Sequence, residues 1–320
     1  MPPSQPPFMI FFVRSIIVAG ALVSLAFLAT ACTAAPAASP AVSSGTGTGA
    51  AASAHPRTTA AKPAPKPAPK PAPKPKPVAP HVTISRVRTA DGDVVTVAAF
   101  RGPVRYVLHN GSSDPGYAAA VAGVKAGPAV GSAERGQLLA AFNGGFKLGV
   151  GAGGYEQEGH VISPLLRGYA SFVIDRSGRA RIALWGYSAP RPGEAVYSVR
   201  QNLQLLIEHG HPTPAASDWY AWGATLGGGE YVARSAVGED AAGDLLFAGS
   251  MSASPEDLAQ ALAERGARIG MELDINPEWV QLDVAAKPGG PLTAEVPGQY
   301  RPADQYLWGW SRDFFAVLAG

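Results

Sequence analysis

Residues 254–276 read SPEDLAQALAERGARIGMELDIN, and this stretch joins a capped helix to a strand. Ser254 is a typical N-cap residue, Pro255 suits the first helical position, and acidic residues occupy the first turn. Apolar residues then recur at helical spacing until Gly266, which ends the helix. From Arg268 onward apolar and polar side chains alternate, which is the period of a β-strand.

Short strand-like runs bounded by Gly, Pro and Asp dominate the chain on both sides of this stretch. Residues 172–184 read as a β-hairpin, and helices are predicted over 117–124 and 313–318. The strand-like runs are 94–100, 105–108, 138–142, 170–174, 180–185, 203–207, 231–237 and 245–248. Since strands and helices do not alternate regularly, the pattern predicts an α+β fold. We expect a mixed, largely antiparallel sheet flanked by a few helices, in a single globular domain over 81–320.

The first 80 residues have the composition of an export signal and a tether. Residues 1–31 resemble a signal peptide, because an apolar run and small residues follow a basic start. Cys32, the only cysteine, comes directly after that run and is the predicted lipidation site; cleavage nearby, or an uncleaved helix with an incidental thiol, is the alternative. Residues 32–61 read as a disordered low-complexity linker, and residues 62–80 as a Lys-Pro-rich polyproline II spacer of roughly 60 Å.

This arrangement predicts an extracytoplasmic protein that is either lipid-anchored to the cell membrane or secreted. The spacer lysines could contact anionic lipids or wall polymers, or the spacer could be a solvated stalk without a partner. The region from residue 81 onward carries 19 basic and 24 acidic residues, so its formal net charge is −5. A mildly acidic domain argues against nucleic-acid binding.

The strand after the helix carries the first candidate site. Alternation places Glu272, Asp274 and Asn276 on one face, and Pro277 ends the strand. Two neighbouring carboxylates push their pKa values apart, which suits an acid paired with a base or a nucleophile. The alternative is an edge strand with a solvated polar face.

A second candidate is the Asn143-Gly144-Gly145 turn that follows an apolar run. Glycines with positive φ can turn successive N–H groups toward an anion, and the Asn143 amide adds a donor. The alternative is a simple β-hairpin, since Asn-Gly between apolar runs is a strong hairpin signal.

Arg234 lies in an otherwise apolar strand and is the third candidate. A buried arginine requires a planar acidic partner, which is either a ligand phosphate or a carboxylate of the protein core.

Less specific features are His209 and His211, which read as a polar turn rather than a metal pair, and the glycine-rich loop 149–154, a possible lid. Several aromatic residues could stack on sugar rings or pack in the core, namely Trp219, Tyr220, Trp222, Trp279, Trp308 and Trp310.

In this order and spacing the segments resemble the phosphodiester glycosidase family. The resemblance covers about residues 135–285 and rests on Ala-Phe-Asn-Gly-Gly-Phe (141–146), Gly-Gly-Tyr-Glu-Gln-Glu-Gly (153–159), Ala-Arg-Ser-Ala-Val-Gly (233–238), the Ser254 helix and Met-Glu-Leu-Asp (271–274). Asn143, Gly144 and Gly145 match the family's Asn-Gly-Gly-Phe loop, Arg234 its Arg-x-Ala-x-Gly strand, and Asp274 its Leu-Asp motif. Ile275-Asn276-Pro277 replaces the glycines and serine that follow in the family, so this chain looks like a divergent bacterial branch.

The resemblance implies hydrolysis of a sugar-1-phosphodiester in a cell-envelope glycan or related glycoside. Arg234 and the Asn143-Gly144-Gly145 turn would hold the phosphate, Asp274 would act as nucleophile or base, and Glu272 or Glu158 would be the acid. No metal or other cofactor is expected, and the partners would be the glycan and, through the lipid, the membrane. The alternative is a non-catalytic glycan-binding or wall-organising module.

Overall fold

The computed structural model describes residues 81–223 and 228–320, which belong to one compact unit. The predicted signal peptide, the lipidation site Cys32, the linker and the spacer lie outside the described residues. Within the described ranges, no helix has the length and apolar character needed to cross a membrane.

Strands supply most of the regular structure of the described residues. They are β1 (Val82–Arg88), β2 (Val94–Phe100), β3 (Val104–His109), β4 (Leu138–Asn143), β5 (Tyr155–Gln157), β6 (His160–Ser163), β7 (Ala170–Asp175), β8 (Ala180–Leu184), β9 (Val196–Gln201), β10 (Leu205–Glu208), β11 (His211–Pro212), β12 (Val232–Asp240), β13 (Leu245–Ala253), β14 (Ala267–Glu272), β15 (Leu282–Ala285), β16 (Leu292–Ala294) and β17 (Phe314–Ala319). The helices are α1 (Tyr117–Ala122), α2 (Ser132–Arg135), α3 (Pro255–Glu264) and α4 (Gln305–Trp308), with 3-10 turns at Pro214–Ser217 and Trp219–Trp222.

The strands form three open sheets, in which the paired strands run antiparallel. The first has the order β1-β2-β13-β12-β14-β10-β11, the second β16-β15-β4-β17-β3, and the third β6-β5-β9-β7-β8. These sheets with a few helices confirm the predicted α+β class and its largely antiparallel character.

Helix α3 covers the outer face of the first sheet. Its predicted cap is present: the Ser254 hydroxyl accepts from the Asp257 N–H, and the Asp257 carboxylate accepts from the Ser254 N–H. Leu258 and Leu262 pack with Leu246 in an apolar cluster between helix and sheet. Burial of this stripe supplies the helix with stability that ten residues lack in isolation.

The main core lies where the three sheets face one another. Phe142 of β4 contacts Phe315 of β17 at 5.3 Å between ring centres and Phe247 of β13 at 5.2 Å. Phe172 of β7 stacks on Phe315 at 4.2 Å. Each sheet therefore contributes at least one aromatic ring to a single cluster, and this cluster fixes the positions of the three sheets relative to one another.

Two turn predictions are confirmed and one helix prediction is wrong. Strands β7 and β8 form the predicted hairpin, and residues 209–210 form the polar turn between β10 and β11. Residues 313–318 do not form a helix: the segment is β17, which lies between β4 and β3 in the second sheet. A short apolar run lacks the periodicity that separates a buried strand from a helix.

Candidate functional site

Asp274 lies just beyond the end of β14, where the ladder with β12 finishes. The Leu273 N–H donates to the Ser235 carbonyl at 2.8 Å, and the Ser235 N–H donates to the Asp274 carbonyl at 3.1 Å. Leu273 points into the main core, so Glu272 and Asp274 occupy the other face, as the alternation predicted. The edge-strand alternative is wrong, because β14 pairs on both sides and both carboxylates are buried.

The Asn143-Gly144 segment contacts Asp274 directly. The Asp274 N–H donates to the Gly144 carbonyl at 3.1 Å. The Asn143 amide donates to the Ser235 hydroxyl at 2.8 Å, and that hydroxyl donates to the Asp274 carbonyl at 2.8 Å. Asn143 also accepts the Gln281 N–H. Asn143 and Ser235 therefore fix the backbone of Asp274, and the side chain of Asn143 has its donors and acceptor used within the fold.

The predicted anion nest at Gly144 and Gly145 is wrong, because neither glycine adopts a positive φ. A Cβ on Gly144 would overlap the Asp313 carboxylate, and the Gly144 N–H donates to the Asp313 carbonyl at 3.0 Å. The hairpin alternative does not form either, because β4 pairs with β15 and β17. Glycine is required at 144 for close approach of two chain segments.

The Asp274 carboxylate is enclosed by three donors. Oδ1 accepts the N–H groups of Ile275 at 2.8 Å and Asn276 at 3.2 Å, and Oδ2 lies 3.2 Å from Nη2 of Arg312. Burial raises the pKa of Asp274 to about 6, although Arg312 and the two N–H donors act in the opposite direction. The carboxylate therefore changes charge close to neutral pH while it remains held in one orientation.

Arg312, which sequence reasoning missed, is the cation of this site. Its guanidinium donates to the Gly145 carbonyl at 2.9 Å, and its Nε lies 3.5 Å from Oδ2 of Asp114. It also lies over the Trp279 ring, 5.4 Å from the ring centre. The signal was the Arg312-Asp313 pair directly before the apolar run of β17, whereas Arg234 was singled out from inside an apolar strand.

A second buried ion pair supports the segment that carries Gly144. Arg200, at the end of β9, donates through Nε to Oδ2 of Asp313 at 2.7 Å, and both side chains are almost fully enclosed. The same guanidinium donates to the carbonyls of Phe146 and Gln201. Arg200 therefore ties the third sheet to the start of β17, next to Arg312.

Arg234 does not reach this site. Its Nη1 donates to Oε1 of Glu272 at 2.8 Å, and both side chains have 0% exposure. Nε and Nη2 of Arg234 and Oε2 of Glu272 have no hydrogen-bond partner among residues 81–223 and 228–320. Burial raises the pKa of Glu272, with Arg234 opposing the shift. The core salt bridge, one of the two alternatives for Arg234, is the arrangement found.

Asp274 and Arg312 open onto a cleft of about 690 Å³. Asn276 and Lys147 add polar groups to its lining, and Trp279 forms one wall. The glycine-rich loop 149–154 contributes part of the lining as well. The cleft lies at the junction of the three sheets, since its floor comes from the ends of β14, β4 and β9 and from the residues that precede β17.

Glu158, the other predicted acid, lies at a different cavity. Its carboxylate accepts the backbone N–H groups of Lys125 at 3.0 Å and Ala126 at 2.7 Å. The residue occupies the turn between β5 and β6 with φ 54°, which directs its side chain toward residues 125–126. Glu158 therefore braces a loop there, away from Asp274. Among the described residues, no cluster of His, Cys, Asp or Glu is suited to hold a metal.

Comparison with known proteins gives structural similarity at low sequence identity. The catalytic domain of zebrafish N-acetylglucosamine-1-phosphodiester alpha-N-acetylglucosaminidase overlaps 77% of this chain and 85% of its own, with 13% identity and a TM-score of 0.48. A hypothetical protein from Synechocystis overlaps 75% and 62%, with 14% identity and a TM-score of 0.43. An exported protein of Burkholderia pseudomallei overlaps 71% and 74%, with 12% identity and a TM-score of 0.38. No protein-family model and no curated protein sequence matches the chain. These overlaps assign neither a family nor an activity.

Proposed function

We propose that the domain hydrolyses a sugar-1-phosphodiester of a cell-envelope glycan or related glycoside in the cleft around Asp274. The observation that carries the proposal is the Asp274–Arg312 pair on the cleft floor. It places a carboxylate that titrates close to neutral pH beside a cation suited to phosphate. The sequence motifs give partial support, because the Asn143-Gly144 segment contacts Asp274, whereas Arg234 contacts Glu272 away from the cleft.

In this proposal the roles differ from those that the sequence suggested. Arg312 and Lys147 hold the phosphate, because Arg234 is enclosed by its contact with Glu272. Asp274 acts as the base that takes a proton from a water molecule, and this water attacks the phosphorus atom of the bound diester. A new P–O bond forms to the water oxygen and the P–O bond to the sugar breaks. The sugar oxygen takes up a proton, leaving a free sugar and a phosphomonoester that keeps the second alcohol.

The acid that protonates the leaving group is not assigned to Glu272 or Glu158. Glu272 has 0% exposure and contacts Arg234, and Glu158 contacts the backbone at 125–126. Asp114 is the second carboxylate beside Arg312, and it lines an adjoining cavity. It is the carboxylate best placed to act on the far side of a bound phosphate.

The test is an assay of hydrolysis of the methyl diester of N-acetylglucosamine 1-phosphate, in which the release of methyl phosphate is measured. Asp274→Asn should lower kcat by about 10²–10⁴-fold, the usual contribution of a positioned base. Arg312→Gln should lower kcat/KM by about 10- to 100-fold, because it removes charge-assisted contacts to the phosphate. Arg181→Gln is the matched control. Arg181 lies on β8, forms an ion pair with Glu194 and does not line the cleft, so its loss should leave hydrolysis unchanged.

Full activity of the Asp274→Asn protein would refute the assigned role. The alternative function is binding of an envelope glycan without turnover, which the Trp279 wall and the Ile275-Asn276-Pro277 replacement favour. Titration of the wild-type protein with the same diester separates the two, because saturable binding without release of methyl phosphate supports the binding module. The predicted signal peptide and Cys32 would place either activity at the outer face of the membrane.

A further inference from the structure

The cleft adjoins a second cavity, and the two share Lys147, Trp279 and Arg312. The second cavity, of about 440 Å³, is lined by Ser113, Asp114, Ser311 and Leu148 besides the three shared residues. We term it the polar compartment, because hydroxyl and charged groups form a larger share of its lining than of the cleft's. The cleft on the Asp274 side is the apolar compartment. Both shared cations therefore lie where the two compartments meet.

Aliphatic and aromatic side chains form most of the wall of the apolar compartment. They are Phe146, Val150, Ala152, Leu203 and Ile275. Val150 is 63% exposed, so burial in the core does not account for its presence. An apolar lining around a few placed polar groups is typical of a site that binds an apolar group.

Leu203 shows that this wall is held in place at a conformational cost. Its φ is +54°, a region that bulky side chains rarely adopt. The backbone is fixed from both sides, because its N–H donates to the Ala152 carbonyl at 2.7 Å and its carbonyl accepts the Ala170 N–H at 2.9 Å. Strain of this kind concentrates at functional sites, and here it places an apolar side chain between the cleft and the apolar cluster beneath α3.

The polar compartment offers hydrogen-bonding groups beside a smaller apolar surface from Leu148 and Trp279. Ser113 and Ser311 have hydroxyl groups that donate and accept, and Asp114 has carboxylate oxygens that accept hydroxyl protons. Trp279 presents an aromatic face at the boundary. These groups match a ring that carries several hydroxyls.

We infer that the two compartments bind the two sides of one amphiphilic phosphodiester, with its sugar in the polar compartment, its phosphate at Arg312 and Lys147, and an apolar alcohol in the apolar compartment. The inference rests on the proposed function for the phosphate and extends it to the substrate class. The substrate is then a glycosyl phosphodiester of a hydrophobic alcohol, rather than one that joins two sugars.

Affinities of the methyl and hexyl diesters of N-acetylglucosamine 1-phosphate, measured in full-length protein carrying Asp274→Asn, test the inference. The hexyl diester should bind at least tenfold more tightly, since each fully buried methylene contributes about fourfold. Val150→Ser and Leu203→Asn should each reduce this ratio; Asn tolerates positive φ, so the second change preserves the backbone. Val161→Ser is the control, because Val161 is 61% exposed on β6 and should leave the ratio unchanged.

Equal affinities for the two diesters, or a ratio that the Val150 and Leu203 substitutions leave unchanged, would overturn the inference. A tenfold ratio in the binding assay together with no hydrolysis by the wild-type protein would support the two compartments and reject hydrolysis. If the two diesters bind with equal affinity and the wild-type protein hydrolyses them with equal efficiency, the proposed hydrolysis stands and the two compartments are rejected. If neither diester binds, both the two compartments and the proposed hydrolysis are rejected.

Discussion

Replacing Asp274 by Asn should remove a pH-dependent loss of folding stability that the wild-type site carries. The pKa of Asp274 is raised from 3.8 to about 6 in the folded protein, chiefly by burial. The folded state thus holds a proton on this carboxyl more tightly than the unfolded state does. At about 1.4 kcal/mol per pH unit, the shift corresponds to about 3 kcal/mol.

The sign of the effect follows from the same shift. Below about pH 3 the carboxyl is protonated in both states, and the site makes no difference to the pH dependence of folding. As the pH rises through 6, the unfolded state gains from ionisation earlier than the folded state, so the wild-type protein loses stability. Asn does not titrate, so the stability of Asp274→Asn minus that of the wild type should increase by about 2 kcal/mol between pH 4 and 7, the rest of the change falling below pH 4.

Urea unfolding followed by circular dichroism at half-unit steps from pH 4 to 8 measures this difference. A constant offset between the two proteins is expected, because the Asn amide meets Nη2 of Arg312; only the change with pH carries the argument. Arg312→Gln is the complementary variant: without the cation the pKa of Asp274 should rise further, so the loss of stability extends above pH 6. A difference that stays flat from pH 4 to 7 would show that burial does not raise the pKa of Asp274.

Two further predictions concern the structure around the site. Asp283 is buried on β15, and Gln281 and Gln299 donate to its carboxylate. Burial raises the pKa of Asp283 to about 8. The stability of Asp283→Asn relative to the wild type, measured by urea titration, should therefore increase as the pH rises from 4 to 8, by at most about 5 kcal/mol. Gly144→Ala should destabilise the fold by about 3 kcal/mol or more in thermal melts, since its Cβ would overlap Asp313. Gly136→Ala, where a Cβ meets no atom within 4 Å, should be neutral or stabilising.

Local signals were sufficient where local chemistry decides the structure. The Ser254 cap specifies the start of α3, because the interactions that form it lie within four residues of the chain. The alternation from Arg268 to Asp274 correctly separated the core face from the carboxylate face. Such features depend on side-chain spacing and not on which distant segment lies alongside.

Features that depend on distant partners were not accessible from the sequence. The run 313–318 has no apolar periodicity, and only its place between β4 and β3 makes it a strand. The guanidinium of Arg234 required an acidic partner, but the identity of that partner depended on the register of β12 against β14. The turn at Gly144 likewise looked like a positive-φ turn, whereas the actual constraint is the approach of Asp313 from the second sheet.

Three arginine–carboxylate pairs explain why one carboxylate can face the cleft while its neighbour two residues away cannot. Glu272 is still inside the ladder of β14, and there Arg234 of the adjacent strand contacts it with no exposure. Asp274 lies beyond the ladder, so its partner Arg312 comes from the segment before β17 and lies at the cleft floor.

The third pair sets the position of that partner. Arg200 holds Asp313, the residue after Arg312, and thereby fixes the start of β17 relative to the third sheet. The end of one strand, rather than any single motif, therefore determines which acid faces the cleft. A one-residue shift of β14 would exchange its core and carboxylate faces, and both carboxylates would lose their cations.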